Sequence, residues 1–292
     1  MLIGVEPTAG ASAAIPTADA VMARAGTENF PVAGRLLPAQ VREDLLAIYG
    51  FARLVDELGD ALLGDRLAAL DWLEAELDRA FEGRAEHLLL VRLQPTLGRR
   101  SLSREPFVRL IEANRVDQRV KSYESWEQLQ EYCTLSADPV GELVLSVFDV
   151  SSPENIALSS SICTGLQLVE HCQDVAEDLA AGRVYLPAED LRRFGCSREQ
   201  LSEAHAGGPL RAVLAFELAR ARSLFAAGAP LIGRLRGRPR LTVAAFLAGG
   251  RAAVGAIERA GYDVLAGAPS AGRSHLLLAL AGTLIERRRR TA

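Results

Sequence analysis

DLLAIYGFARLVDELGD, residues 44 to 60, is hydrophobic on nearly every face of a helix, yet it carries Asp56 and Asp60. At about 100° per residue, Tyr49, Arg53, Asp56 and Asp60 fall at offsets 0, 4, 7 and 11 and share an arc of about 60°. Leu45, Leu46 and Ala52 flank this stripe, while Ile48, Phe51, Leu54, Val55 and Leu58 cover the sides and back. A helix apolar all round is a buried helix. Two aspartates within one cost several kcal/mol, or become protonated, unless something cationic faces them.

The spacing returns in GLQLVEHCQDVAEDLAAGRVYLP, residues 165 to 187. Gln167, His171, Asp174 and Asp178 again stand at 0, 4, 7 and 11, among Leu166, Leu168, Val169, Val175 and Leu179. Glu170, Asp174 and Asp178 form an acidic row at i, i+4, i+8. If the two helices face each other, hard oxygen ligands converge on one gap. Mg²⁺ suits such a donor set, because it takes one or two carboxylates and leaves positions for water and substrate phosphate. A single DxxxD is an ordinary surface pattern. Here there are two, each with Arg or His a turn earlier, and Arg183 and Tyr185 follow the second. Arg53 has two readings, an internal partner of Asp56 or a grip on a diphosphate oxygen.

Helical spacing of apolar residues runs through the whole chain and β-branched alternation is nearly absent, which predicts an all-α fold. Breaks are expected near Pro31, Pro38, Gly64, Pro95 to Gly98, Ser151 to Pro153, Gly182 to Pro187, Gly207 to Pro209 and Gly237 to Pro239. None is long enough to be a domain linker, so the expectation is one domain of roughly eight to ten helices over residues 28–292. Residues 1–27, rich in Ala, Gly and Thr and without a basic start and apolar core, read as a loosely ordered arm rather than a secretory signal. A formal net charge of −4 argues against a nucleic-acid partner. The run Arg287 to Arg290 is a solvated tail or a weak attraction to anionic lipid. Apolar runs such as Leu276 to Leu280 are shorter than the ~18 residues of a membrane span, so any membrane contact is expected to be peripheral. Cys133, Cys163, Cys172 and Cys196 show neither zinc nor disulfide spacing, which suits a reduced, cytoplasmic protein, at most peripheral to the inner membrane. No GxGxxG or GxxxxGK[ST] is present.

These residues resemble the squalene/phytoene synthase family over about Glu28 to Leu265. ENFPVAGRLLPAQVREDLLAIYGFARLVDELGD is similar to the family's opening segment and first acidic motif, and QLVEHCQDVAEDLAAGRVYLP to its second. EYCTLSADPVGELVL and ERAGYDVL occupy the places of two further family segments. NFPVA, DQRVKSYESWEQLQEYC and DPVGELVL most resemble the bacterial hydroxysqualene synthase branch of hopanoid biosynthesis. The chain departs from the family pattern at Glu170, where an asparagine metal ligand is usual, at His171, where an aromatic residue is common, and at Asp138, where this branch often has Asn.

The resemblance implies an isoprenoid-synthase-type helical bundle with a central cavity, and a Mg²⁺-dependent reaction of a prenyl diphosphate. Asp56, Asp60, Glu170, Asp174 and Asp178 would bind metal, with Glu177 behind them. Arg53, Arg183 and Tyr185, and Arg42 less directly, would hold the diphosphate, and Gln167 would orient the site. Tyr49 and Tyr262 would stand near a carbocation or simply belong to the core. A long apolar cavity would take the C30 chain. The reaction implied is presqualene diphosphate plus water to hydroxysqualene and diphosphate. Its alternatives are head-to-head condensation of two prenyl diphosphates and a non-catalytic helical assembly factor on the same scaffold.

Overall fold

A computed structural model describes residues 15–22, 37–272, 276, 278–280 and 283. Residues 28–36 of the opening segment, His275 and the Arg-rich run lie outside them. The described residues form α1 (Ala18–Met22), α2 (Ala39–Asp56), a π-helical turn (Glu57–Ala61), α3 (Arg66–Phe81), α4 (Leu88–Arg99), α5 (Glu105–Arg119), α6 (Trp126–Ser136) and α7 (Asp138–Val147). They continue with α8 (Pro153–Gln173), α9 (Val175–Ala180), α10 (Ala188–Arg193), a 3₁₀ turn (Glu199–Ser202), α11 (Gly208–Gly228), α12 (Pro230–Arg234) and α13 (Gly237–Arg259). Among the described residues there is no β-strand, only one isolated parallel bridge between Ser122 and Val184. The count exceeds eight to ten because α1, α9, α10 and α12 are one- or two-turn pieces.

Local chemistry accounts for several boundaries. Asp65 caps α3 by accepting from the Ala68 N–H at 3.0 Å, and Ser152 caps α8 by accepting from Asn155 N–H at 3.3 Å. Pro209 and Pro153 sit in first turns, where a missing N–H costs nothing. The break expected near Pro95 to Gly98 comes slightly later, after Arg99. Pro95 lies inside α4, which continues to Arg99 because Leu89, Leu90, Leu93, Thr96 and Leu97 are buried along one face. That packing outweighs the lost backbone bond. Within the segment expected to be a loose arm, α1 packs Ala18 and Val21 into the protein.

Two hydrophobic clusters form. The first is built on α1 to α5 with part of α7, around Phe51, Leu54, Leu58, Leu73, Leu90 and Phe107. The second is built on α8, α11 and α13, around Leu168, Leu214, Phe225, Leu247 and Ile257. Helices α5 and α7 contribute to both. By length and hydropathy alone, α13 could cross a membrane, contrary to the expectation that every apolar run is too short. More than half of its apolar window is buried against the rest of the protein, and it packs on α8 and α12.

Candidate active site

The stripe on α2 and the stripe on α8 face one cavity of about 280 Å³ at the seam between the two clusters. Arg53, Asp56 and Asp60 come from the first half, and Gln167, Glu170, His171, Asp174 and Asp178 from the second. Arg183 and Tyr185 follow on the next segment. That segment is held by backbone pairing: Val184 N–H donates to Lys121 O at 2.8 Å and Ala188 N–H to Tyr123 O at 2.9 Å. The closing wall is α5 and α6, through Leu110, Ala113, Asn114, Asp117, Tyr132 and Ser136.

Neither acidic motif sits on the regular α-helix that its spacing predicts. After Asp56 the chain widens into the π turn carrying Asp60, and α8 ends at Asp174, whose φ of −99° and ψ of 17° break it from α9. Both irregularities belong to backbone types frequent at functional sites. The π turn is held by close contact, since a Cβ on Gly59 would fall 1.9 Å from Asn114 Oδ1, and Gln118 Nε2 donates to Gly59 O at 3.0 Å.

The charges are only partly compensated within the protein. Arg183 donates to Asp60 Oδ1 at 2.7 Å, joining the two motifs, and Arg53 stands 3.8 Å from Asp56. The Nε atoms of Arg53 and Arg183 are buried without a hydrogen-bond partner. Burial, followed by the charges of Asp178 and Glu177, pushes Asp174 up to about 6. Burial opposes the charge on Arg183, but Tyr185, Asp60 and Asp117 outweigh it and hold its pKa above the usual value. Tyr132 and Tyr185 both donate to Asp117, at 2.7 and 2.9 Å, and the His171 ring stacks on Tyr185 at 3.9 Å. Burial raises the pKa of Asp117 against these two hydrogen bonds.

The donor chemistry fits a hard divalent cation: five carboxylates on two opposed walls, one of them destabilised by its own neighbours. Among the described residues, however, no three His, Cys, Asp or Glu side chains are close enough to enclose a metal unaided. Water and substrate oxygens would have to complete its shell, as is usual for Mg²⁺.

Of the residues singled out from sequence, Arg42, Tyr49, Glu177 and Tyr262 are not in this wall. Arg42 lies near the start of α2, Tyr49 one turn before Arg53, and Tyr262 in the turn after α13 with φ of 62°. The long apolar cavity is not what this space is. Its wall is mostly polar, and its volume suits a diphosphate end rather than a whole C30 substrate. Sequence reasoning missed Asn114, Asp117 and Ser136, and gave Tyr132 no role. A signal existed in α5, where Leu110, Ala113, Asn114 and Asp117 share one face at i, i+3, i+4 and i+7.

The fold is that of the all-α isoprenoid synthases. Residues 23–278 match the squalene/phytoene synthase family, and the chain belongs to it. Members process prenyl diphosphates, generally with a divalent metal. The chain is 36% identical over 213 residues to the hydroxysqualene synthase of Sinorhizobium fredii, covering 72% of each protein. It is 33% identical over 253 residues to the 15-cis-phytoene synthase of Synechococcus elongatus, covering 81% of this chain and 82% of that one. Among solved structures it is similar to squalene synthase HpnC from Alicyclobacillus acidocaldarius. That match has a TM-score of 0.77 and 41% identity, over 84% of this chain and 94% of the other.

Proposed function

We propose that this chain converts presqualene diphosphate and water into hydroxysqualene and diphosphate, a step of squalene and hopanoid biosynthesis. The observation that carries a diphosphate-releasing reaction is the pair of opposed acidic walls with Arg53 and Arg183 between them, each holding an unpartnered buried Nε. The similarity to a hydroxysqualene synthase supports the particular substrate.

Asp56, Asp60, Glu170, Asp174 and Asp178 would hold Mg²⁺, which when bound supplies positive charge to the leaving diphosphate. Arg53 and Arg183 bind diphosphate oxygens through charge-assisted hydrogen bonds. The phenol of Tyr185 is fixed by its bond to Asp117, and its ring by the stacked imidazole of His171. Gln167 Nε2 lies 3.4 Å from His171 Nε2 and orients that ring. Leu110 and Ala113 give the cavity an apolar side for the prenyl end. The four cysteines are free thiols, in keeping with a reduced, cytoplasmic setting, and contact with a membrane surface is part of this reading.

The second reading is head-to-head condensation of two prenyl diphosphates, favoured by the similarity to a phytoene synthase. Purified protein is incubated with presqualene diphosphate, or with farnesyl diphosphate, with and without Mg²⁺. Hydroxysqualene from the first substrate, only with Mg²⁺, is the expected result. Release of presqualene diphosphate from farnesyl diphosphate alone would overturn the proposal. A folded Asp174→Ala variant of full activity would remove the metal assignment, and an inactive wild-type protein would favour an assembly role.

A further inference from the structure

The chain passes from α12 to α13 through RLRGRPRL, residues 234 to 241, a run of alternating arginines in a protein whose formal net charge is −4. Arg236 and Arg238 are exposed, Arg240 is partly buried, and Leu241 after them is 50% exposed. Arginines in the first turn of a helix meet the positive end of its dipole, and α13 has no acidic residue there to offset them. Asp149 and Glu154, on the neighbouring α7–α8 connection and the start of α8, are already matched. Arg100 stands 3.3 Å from Asp149, and Arg234 stands 3.8 Å from Glu154 while donating to Asn155 Oδ1 at 2.8 Å. Among the described residues nothing pairs with the guanidinium groups of Arg236, Arg238 and Arg240, and Arg240 Nε is buried without a partner. Folding gains nothing from this concentration of charge, so an external anion is the group that balances it.

The same run forms one side of an open groove of about 630 Å³, against about 280 Å³ for the acidic cavity. Val150, Leu235 and Pro239 give the groove apolar surface, and Arg234, Arg236 and Ser151 give it donors. Apolar surface with a cationic rim is complementary to an amphiphile with an anionic head. A nucleic-acid backbone would meet the cations but not the exposed leucine, and the negative charge of the whole molecule opposes it. The groove adjoins Asn155 near the start of α8, whereas Glu170 and Asp174 are at its end, so about 22 Å of helix separates it from the acidic cavity.

We propose that this basic turn and its groove dock the protein on the surface of an anionic bilayer, with Arg236, Arg238 and Arg240 against lipid headgroups and Leu241 entering the headgroup boundary. This gives the membrane contact in the functional reading its place on the molecule, and it rests on that contact, whichever prenyl diphosphate reacts. The acidic cavity lies toward the other end of α8, away from the docked surface.

The test is flotation of the full chain with vesicles of phosphatidylcholine alone and of phosphatidylcholine with phosphatidylglycerol. Wild-type protein should float only with the anionic vesicles, and high salt should release it. Each arginine near such a surface strengthens binding about fivefold, so Arg236→Gln combined with Arg238→Gln should weaken it about 25-fold. Leu241→Ser should weaken it further. Changing Arg287 to Arg290 to glutamine separates this surface from the other basic run and should leave most of the binding in place. Turnover of detergent-dispersed presqualene diphosphate should be unchanged in the double variant, which shows that it is folded and reports the chemistry separately. No flotation of the wild type, equal flotation with both vesicle types, tighter binding to duplex DNA, undiminished binding by the double variant, or complete loss on changing Arg287 to Arg290 would each overturn the inference while leaving the chemistry standing. A protein that binds anionic vesicles through Arg236 and Arg238 but makes no hydroxysqualene would overturn the chemistry and leave the docking surface.

Discussion

Arg183 shows what one side chain does in this site. It bonds Asp60 at 2.7 Å, lies near Asp117 and Tyr185, and still has an unpartnered Nε. A guanidinium can grip two oxygens at once, whereas an ammonium offers a point charge. Arg183→Lys should therefore raise KM for the diphosphate substrate about tenfold or more, in line with a charge-assisted bond of about 1.5–3 kcal/mol. Steady-state kinetics reads this directly, and a wild-type KM would take Arg183 out of substrate binding. Residues such as Arg53, Asp56 and Asp174 were legible in the sequence because charge inside an apolar helix is conspicuous by itself. Asp117 was not, because its meaning depends on two tyrosines from other segments, 15 and 68 residues away.

The elements that present these residues depart from regular helix where the chemistry is placed. The spacing of Asp56 and Asp60 predicts neighbours on a straight α-helix, and the periodicity held as far as Asp56. The π winding beyond it was illegible, because it is set by how Gly59 meets Asn114 on α5, a tertiary contact. The same applies to the break at Asp174 and to Pro95, where burial overrides a local preference. Gly59→Ala would force a Cβ onto Asn114 Oδ1, so it should cost about 1–3 kcal/mol of stability and displace Asp60. Denaturant unfolding and activity should fall together. Gly98→Ala is the control: nothing lies within 4 Å of the added carbon in α4, and it should stabilise by about 0.5–1 kcal/mol. Equal effects of the two changes would contradict the packing argument.

At the scale of the whole molecule, burial of charge sets how stability follows pH. Glu217 on α11 is fully buried, and burial, followed by hydrogen bonding to Asp190, pushes it up to about 8 from an ordinary 4.5, with Arg220 acting in the opposite sense. The folded protein thus keeps a proton that the unfolded chain has released. Stability therefore falls as pH rises from about 4.5 to about 8. Asp138 and Asp174, both pushed up to about 6, share the fall only in its lower part. Glu217→Gln cannot ionise, so its Tm should gain on wild type steadily between pH 6 and 8.5 and show little difference at pH 5. Parallel Tm profiles would show that Glu217 does not titrate in this window. The all-α class and the two acidic stripes were readable from periodicity, while the central cavity between them was implied by the family resemblance. The division into two apolar clusters was not readable, because Leu and Ala fill both alike. That division bears on how the protein melts. Its seam holds a polar cavity, so outside the shared helices α5 and α7 the metal- and substrate-free chain faces charge across it rather than apolar surface. Calorimetry of that form should show a broad transition, with a van't Hoff enthalpy below the calorimetric one. A ligand held by Asp56 on one side and Asp174 on the other would make the two clusters unfold as a single cooperative unit.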